Sequence, residues 1–293
     1  MGPPADCIGM IDEAVADIEG MQTHSSSTVA VRAAEALREL LEREFTTTEE
    51  YRRALEQNSN ALRRADTSHA SLYTTQREII DRVTGAEPDS VSAAKAATDE
   101  AVTAVVQEVG RAKREAAMAA VDLLEDGTTF LTHDFSSTVT QAIELAADEG
   151  RHLEAYVTEA RPRFMGRTAA RKLAEVDGVE VTLVVDGASG HYLADCDRVL
   201  LGMDCVVDDA LYNRVGTFPI AAAADRLGVP VSAVGSSTKH IDGGFAFEND
   251  HRLASEVLRE PAEGFDVENP AYDATPTSLL DEIVTDEGVQ ELE

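Results

Sequence analysis

Residues 202–217 decide the fold, and they read Gly-Met-Asp-Cys-Val-Val-Asp-Asp-Ala-Leu-Tyr-Asn-Arg-Val-Gly-Thr. An apolar run that predicts a buried strand precedes them, and an alanine-rich stretch that predicts a helix follows. An acid at a strand's carboxyl end, then a loop and a helix start, is a ligand-binding arrangement in open parallel sheets. We expect Arg214 and the loop's backbone N–H groups to hold an anion there. The alternative is that Asp204 and Thr217 only cap and turn the chain.

The remainder of the chain divides into two patterns. Apolar residues recur at helical spacing up to about residue 118, and strands alternate with helices from residue 127 onward. This alternation predicts βαβ units and a mainly parallel, doubly wound sheet. We therefore predict an α/β protein with a helical domain over 1–124 and a sheet domain over 125–293. The expected strands are 128–133, 152–158, 179–185, 197–203 and 229–234, and 269–276 is expected to be a turn-rich segment.

The charge of the chain is strongly acidic and evenly spread. Asp and Glu number 55 against 25 Lys and Arg, which gives a formal net charge of -30. Such an excess repels phosphate backbones and therefore disfavours direct binding to nucleic acid. The scattered acids and the scarcity of lysine indicate a halophilic protein with a solvated acidic surface. We expect the fold to loosen at low ionic strength, where the self-repulsion is unscreened.

Cysteine usage and hydropathy favour a cytoplasmic protein with no role in a membrane. Three cysteines, Cys7, Cys196 and Cys205, give no disulfide framework and suit a reducing compartment. No basic segment followed by an apolar one begins the chain, and no apolar run is long enough to span a bilayer. The start of the chain therefore predicts no signal peptide. The dispersed histidines give no metal-ligand spacing, so we expect no bound metal. No dinucleotide fingerprint is present, and we expect no cofactor.

The end of the first predicted strand carries candidate binding residues. His133 and Asp134 close the strand, and Ser136 and Ser137 open the following helix. Free backbone N–H groups and serine hydroxyls at a helix start suit a phosphate. The alternative is ordinary capping of the helix by these serines.

Two other strand ends carry charged candidates. Arg161 follows the second strand and is suited to gripping a phosphate or carboxylate with both arms of its guanidinium; the alternative is a salt bridge in an acidic chain. Asp204, if buried near a sugar, would have a raised pKa and could transfer protons. If Asp204 instead pairs with Arg214, it stays ionised and structural.

Four motifs in order give the chain a family resemblance. They are Thr132-His133 with Ser136-Ser137-Thr138, Glu159-Ala160-Arg161-Pro162 with Gly166-Arg167, Gly202-Met203-Asp204 with Asn213-Arg214-Val215-Gly216-Thr217, and Asp273-Ala274-Thr275-Pro276 with Thr285-Asp286-Glu287-Gly288. Over about residues 116–289 the chain resembles the initiation factor 2B alpha/beta/delta family, which also holds methylthioribose-1-phosphate and ribose-1,5-bisphosphate isomerases. The resemblance implies a helical N-terminal domain, a Rossmann-like C-terminal domain and dimers built through the latter.

The chain departs from the isomerase pattern of this family at three places. The isomerases carry a Cys directly after the Thr-His pair, and here that position is Asp134. Their phosphate-gripping Arg-Gly-Ala element corresponds to residues 23–27, which contain no arginine, and their usual lysine is Arg214. Their second catalytic group is retained as Asp204. The regulatory initiation-factor subunits also lack the Cys.

These departures lead to two main hypotheses and a third. The first is a non-isomerase, initiation factor 2B-like subunit that binds a sugar phosphate or nucleotide and a protein partner, as a homodimer or hetero-oligomer through the C-terminal domain. The second is an aldose–ketose isomerase of altered mechanism with Asp134 and Asp204 as its acid/base pair. Two clustered acids repel an anionic substrate, which favours the first hypothesis. The third is a scaffold with an empty pocket. The expected ligand-binding residues are His133, Ser136, Ser137, Arg161, Asn213, Arg214, Gly216 and Thr217.

Overall fold

A computed structural model describes residues 10–19, 26–241, 245–260 and 262–292. The chain forms two compact units, one ending at Arg111 and the other beginning at Ala112. The predicted mixed α/β class, helical first and mainly parallel sheet afterwards, is confirmed. The domain boundary that we place after residue 124 stays a prediction.

The first unit is built from helices that bury leucine-rich faces. Its core contains Leu37, Tyr51, Leu55 and Leu72, each at most 1% exposed. The hydroxyl of Tyr51 donates a 2.8 Å hydrogen bond to Thr98, so the largest buried side chain also has its polar atom satisfied. The helices are α1 Met10–Glu19, α2 Ser26–Ala36, α3 Glu39–Glu42, α4 Thr48–Ala65, α5 Ala70–Gly85 and α6 Val91–Val121, the last continuing beyond Arg111.

The second unit is an α/β sandwich. Its helices are α7 Ser137–Asp148, α8 Gly166–Leu173, α9 Ser189–Tyr192 and α10 Thr217–Leu227. The described strands are β1 Thr129–His133, β2 Leu153–Thr158, β3 Val179–Val184, β4 Arg198–Gly202, β5 Cys205–Val207, β6 Ala210–Arg214, β7 Val231–Val234, β8 Tyr272–Pro276, β9 Glu282–Thr285 and β10 Gly288–Glu291.

The main sheet has seven strands in the order β10-β9-β7-β4-β1-β2-β3. All neighbouring pairs are parallel except β10 with β9. β2 and β3 are added on one side of β1. The chain then returns to the other side of β1, where β4, β7 and β9 are added in turn. The strand order therefore reverses between β1 and β4, and ligands of open parallel sheets bind at such a point, outside the carboxyl ends of the strands.

We expect a loop between a strand and a helix within residues 202–217. In the structure, most of this segment forms a hairpin instead. β5 and β6 pair antiparallel around Asp208 and Asp209, which have φ values of 50° and 59°. Aspartate is among the few residues that tolerate this left-handed conformation, and a two-residue turn of this kind suits a hairpin. β8 pairs with the other edge of β6, so the turn-rich segment predicted over 269–276 contains a strand.

Candidate functional site

Two aspartates lie at the point where the strand order reverses. Asp134 follows β1 directly, and Asp204 follows β4 after one residue. Only 13% and 12% of their side-chain surfaces remain exposed. Asp134 has a φ of 63°, a left-handed conformation that turns the chain sharply at the end of the strand. The topology thus brings together two carboxylates that are 70 positions apart in sequence.

Arg214, the last residue of β6, joins the two carboxylates. Its Nε lies 3.5 Å from Oδ2 of Asp134 and 3.5 Å from Oδ2 of Asp204, so the two oxygens are separated by no more than twice that distance. The guanidinium also lies 4.7 Å over the ring of Tyr272. Oδ1 of Asp134 is buried without a hydrogen-bond partner. A buried acceptor left unpaired is a position where a ligand or a water can donate a hydrogen bond.

Lys239 adds a second cation to this site. Its Nζ donates a 2.7 Å hydrogen bond to the carbonyl of Met203, the residue before Asp204. Burial lowers the pKa of Lys239, the charge of Asp204 raises it, and the charges of Arg214 and Lys113 lower it further. From the sequence, Lys239 is a candidate because it follows the strand predicted over 229–234, but its contact with Met203 is seen only in the structure.

His133 is fully engaged by the protein itself. Its Nδ1 lies 2.6 Å from the hydroxyl of Thr158, and its Nε2 lies 2.8 Å from the carbonyl of Val215. Because a carbonyl only accepts, Nε2 carries a hydrogen and donates it to Val215. A Cβ at Gly216 would lie 2.7 Å from this ring. His133 therefore fixes the turn before α10, and a ligand contact by His133 stays a prediction.

Asn213 and Thr217 hold the same turn. The amide of Asn213 donates a 3.0 Å hydrogen bond to the hydroxyl of Thr217, and that hydroxyl donates a 2.7 Å bond to the carbonyl of Arg214. Asp273 accepts from the N–H groups of Gly216 at 2.7 Å and Phe218 at 3.1 Å. We expect an anion at the N–H groups that begin α10. In the structure, the carboxylate of Asp273 already accepts hydrogen bonds from these groups. An external anion would have to displace it.

Ser136 and Ser137 lie at the start of α7, close to the aspartates. Oγ of Ser136 accepts a 3.3 Å hydrogen bond from the N–H of Val139 and so caps the helix. A Cβ at Gly202 would lie 2.7 Å from this Oγ, so the end of β4 packs directly on the cap. Capping is therefore the observed role of Ser136, and phosphate binding by either serine stays a prediction.

Arg161 lies in a different cleft. The N–H groups of Ala160 and Arg161 each donate a 2.7 Å bond to the carboxylate of Asp186, which fixes the turn after β2. The Arg161 side chain lines a cleft of about 570 Å³ together with Arg163 and Arg259. Among the described residues, no hydrogen bond or ion pair joins Arg161 to the carboxylate pair. The structure therefore brings together Asp134, Asp204 and Arg214 but not Arg161.

The cysteines of the second unit do not replace the Cys that the resemblance leads us to expect at position 134. Cys196 and Cys205 are buried. Burial, together with neighbouring carboxylates, raises the pKa of each thiol to about 12. Neither thiol therefore forms the nucleophilic or basic thiolate at neutral pH.

The described residues show neither a metal-binding cluster nor a membrane-spanning helix. No group of three or more His, Cys, Asp or Glu side chains in that part of the chain is arranged to hold an ion. No described helix combines the length and the apolar character needed to cross a bilayer.

The fold and site together define a class of protein, namely two-unit α/β proteins with a cluster of charged side chains where the order of a parallel sheet reverses. Within that class, the chain belongs to the Initiation factor 2 subunit family, whose model matches residues 22–291.

Relatives in this family include enzymes. A ribose 1,5-bisphosphate isomerase of Haloterrigena turkmenica is 32% identical over 289 residues, covering 93% of this chain and 87% of the relative. The fold is shared with a translation initiation factor eIF-2B of Pyrococcus horikoshii at a TM-score of 0.79 and 23% identity, covering 95% of this chain and 96% of that one. A 5-methylthioribose 1-phosphate isomerase of the same organism gives a TM-score of 0.79 at 22% identity, covering 96% and 84%. The comparisons favour the isomerase hypothesis over the non-isomerase one.

Proposed function

We propose that this protein is an aldose–ketose isomerase acting on a phosphorylated pentose such as ribose 1,5-bisphosphate. The observation that carries the proposal is the pair of carboxylates that share Arg214 at the reversal point of the sheet. The similarity to ribose 1,5-bisphosphate isomerases over 93% of the chain supports the substrate class.

The proposed reaction needs one acid and one base but no co-reactant. The sugar ring opens as its ring oxygen gains a proton, and a proton then leaves C2 to give an enol. C1 gains a proton, and the hydroxyl on C2 loses its proton to become the ketone. Substrate and product are isomers, so atoms and electrons balance. We assign removal of the C2 proton to Asp204 and proton donation to Asp134, whose Oδ1 is buried and has no partner within the protein. Two acids in unlike environments can divide these roles.

Charge balance answers the main objection to this mechanism. Two carboxylates alone would repel a phosphorylated sugar, which favoured the non-isomerase hypothesis. Arg214 supplies a positive charge 3.5 Å from the carboxylates of both Asp134 and Asp204. It offsets part of their negative charge, so a substrate anion meets less repulsion than two carboxylates alone would exert.

A second candidate function is an initiation factor 2B-like subunit without chemistry. The Asp at position 134, where the isomerases carry Cys, favours this candidate. In this case the pocket would bind a sugar phosphate or nucleotide, and the second unit would form a homodimer or hetero-oligomer. The corresponding element at residues 23–27 falls partly outside the described residues, which resume at residue 26.

The deciding experiment measures ketose formation from ribose 1,5-bisphosphate and from methylthioribose-1-phosphate in molar KCl. We expect a ketose product from at least one of them, and a fall of about 100-fold or more for Asp204→Asn, since a positioned proton-transfer group contributes at least that much. Asp208→Asn is the matched control, because Asp208 is exposed at the hairpin turn and asparagine tolerates its φ of 50°.

A folded wild-type protein that forms no ketose from either sugar would overturn the proposal. A pull-down at native salt that captures an initiation-factor partner would then support the second candidate.

A further inference from the structure

Segment 245–252 lies alongside the chain that leads into β8. The two run antiparallel where His251 and Pro270 form an isolated bridge. The N–H of Ala271 donates a 2.8 Å hydrogen bond to the carbonyl of Asp250. The first four residues of the segment alternate between half-buried and exposed, as an extended chain with one face on the protein does. Segment 245–252 is therefore fixed to the start of β8.

At Tyr272, the first residue of β8, a side chain takes the place of the backbone of this segment. Nδ2 of Asn249 donates a 2.8 Å hydrogen bond to the carbonyl of Tyr272, and Oδ1 of Asn249 accepts a 3.2 Å bond from the N–H of Tyr272. One side-chain amide thus satisfies both backbone polar groups of a buried residue, as a neighbouring strand would. Asn249 therefore fixes the backbone from which the Tyr272 ring projects.

Phe247 holds the ring of Tyr272 itself. The Phe247 ring stacks on Tyr212 with the centroids 3.9 Å apart and an angle of 18° between the planes. It meets the Tyr272 ring edge-on, with the centroids 5.3 Å apart and an angle of 85°. Both arrangements are favourable for aromatic pairs. The backbone of Tyr272 is thus held by one residue of the segment and its ring by another.

The Tyr272 ring is the surface on which Arg214 lies. The guanidinium carbon is 4.7 Å from the ring centroid, and Nε of the same guanidinium lies 3.5 Å from each of the two carboxylates. An arginine side chain has many rotamers, and a planar guanidinium packed over a ring keeps few of them. A chain of contacts therefore runs from segment 245–252 through Tyr272 to Arg214 and ends at the carboxylate pair.

We propose that Phe247 and Asn249 are positioning residues, which act through Tyr272 to hold the guanidinium of Arg214 at equal distance from the two carboxylates. The interaction between buried charges changes steeply with distance, so the placement of the guanidinium governs how the two acids share it. The consequence for turnover rests on the proposed isomerase function. The placement of Arg214 does not, and it can be tested without turnover.

The first test is a double-mutant cycle on urea unfolding of the full chain in molar KCl. We expect Phe247→Leu to raise the unfolding equilibrium constant about threefold more in the wild type than in an Arg214→Met background, because residues in one network of contacts are coupled. Phe265→Leu is the matched control, since its ring is 60% exposed, and its effect should be the same in both backgrounds. Arg214→Lys, which loses the planar guanidinium, is the background to use if Arg214→Met does not fold.

The same cycle applies to the side-chain amide. Asn249→Ala should show a similar excess effect in the wild type, and Gln290→Ala, which removes an exposed amide from β10, should not. Phe247→Tyr keeps the aromatic ring and should retain most of the coupling.

The second test is the kinetics of ketose formation. We expect Phe247→Leu to lower kcat about tenfold and to leave KM within about twofold, because a charge beside the proton-transfer groups moves while the substrate contacts stay. Phe247→Tyr should restore kcat, which a general loss of stability does not predict.

Equal effects of Phe247→Leu in the two backgrounds would overturn the positioning role, and so would coupling with an unchanged kcat in an active protein. Coupling in a folded protein that forms no ketose would sustain the placement of Arg214 by segment 245–252 and count against the isomerase activity alone.

Discussion

Nε of Arg214 lies 3.5 Å from Oδ2 of Asp204. Asp204 lies just before the β5–β6 hairpin, and Arg214 is the last residue of that hairpin. The same Nε reaches Asp134 from the neighbouring strand at an equal distance. One guanidinium therefore neutralises part of the charge of two mostly buried carboxylates. Without it, the repulsion between the two carboxylates would oppose their close approach.

Removal of this guanidinium should destabilise the second unit. We expect Arg214→Met to lower the free energy of unfolding by about 3 kcal/mol, because two largely desolvated carboxylates lose their shared counter-ion. Urea unfolding at constant KCl measures the change. Arg226→Met is the control, since Arg226 is exposed in the last turn of α10. A loss no larger than that of the control would show that Arg214 is not what holds the acids together.

The contact between Gly216 and His133 gives a second prediction. A Cβ at position 216 would lie 2.7 Å from two atoms of the imidazole, and the φ of 109° suits glycine only. We expect Gly216→Ala to cost about 2–4 kcal/mol of stability through strain and overpacking. Gly187→Ala is the control, because an added Cβ there meets no atom within 4 Å. Equal melting temperatures for the two variants would contradict the contact.

The buried thiols predict a loss of stability at alkaline pH. Burial raises the pKa of Cys196 and Cys205 from 9.0 to about 12 in the folded chain. The folded state therefore keeps protons that the unfolded state releases, so this contribution is complete below pH 9 and is lost as the pH rises towards 12. We expect Cys205→Ala to show a shallower decline of unfolding free energy over this window. A parallel decline in the variant and the wild type would be evidence against a buried thiol.

The same burial predicts slow chemistry at these thiols. At pH 8.5 and in molar KCl, Cys205 should resist iodoacetamide in the folded protein and react after unfolding in urea, as peptide mapping by mass spectrometry would reveal. Rapid labelling of Cys205 in the folded chain would mean that β5 opens readily.

The acidic surface predicts a salt requirement. With a formal net charge of -30, self-repulsion opposes the compact state whenever it is unscreened. The Debye length falls from about 30 Å at 0.01 M to about 3 Å at 1 M salt. We expect the melting temperature to rise steadily from dilute buffer to molar KCl. A flat curve would mean that the acids are already balanced within the folded chain.

The sequence predicted the sheet because strand and helix patterns alternate with little interruption. It also placed Asp134 and Asp204 at strand ends, because β1 and β4 are apolar runs with clear boundaries. The order reversal between these strands is a property of the topology, and only the structure shows that the two ends are neighbours.

The small sheet and the contact made by Lys239 were beyond the reach of the sequence. β5 has three residues, and β8 lies among turn-forming residues, so neither strand has a periodicity to detect. Arg161 looked equivalent to the other strand-end residues, but the turn fixed by Asp186 carries it into a separate cleft. Lys239 follows the strand predicted over 229–234, so its place at a strand end was predictable, whereas its burial next to Met203 is seen only in the structure.

The antiparallel ribbon of β5 and β6 has one more implication. Asp204 enters it and Arg214 leaves it, so a single continuous segment of eleven residues carries both the acid and its counter-charge. Such a segment can be transplanted between homologous proteins as one module with its ion pair intact. The recipient scaffold then has to provide the opposing carboxylate at the tip of its first strand, a strand that pairs with β6 as β8 does, and an aromatic ring in the place of Tyr272.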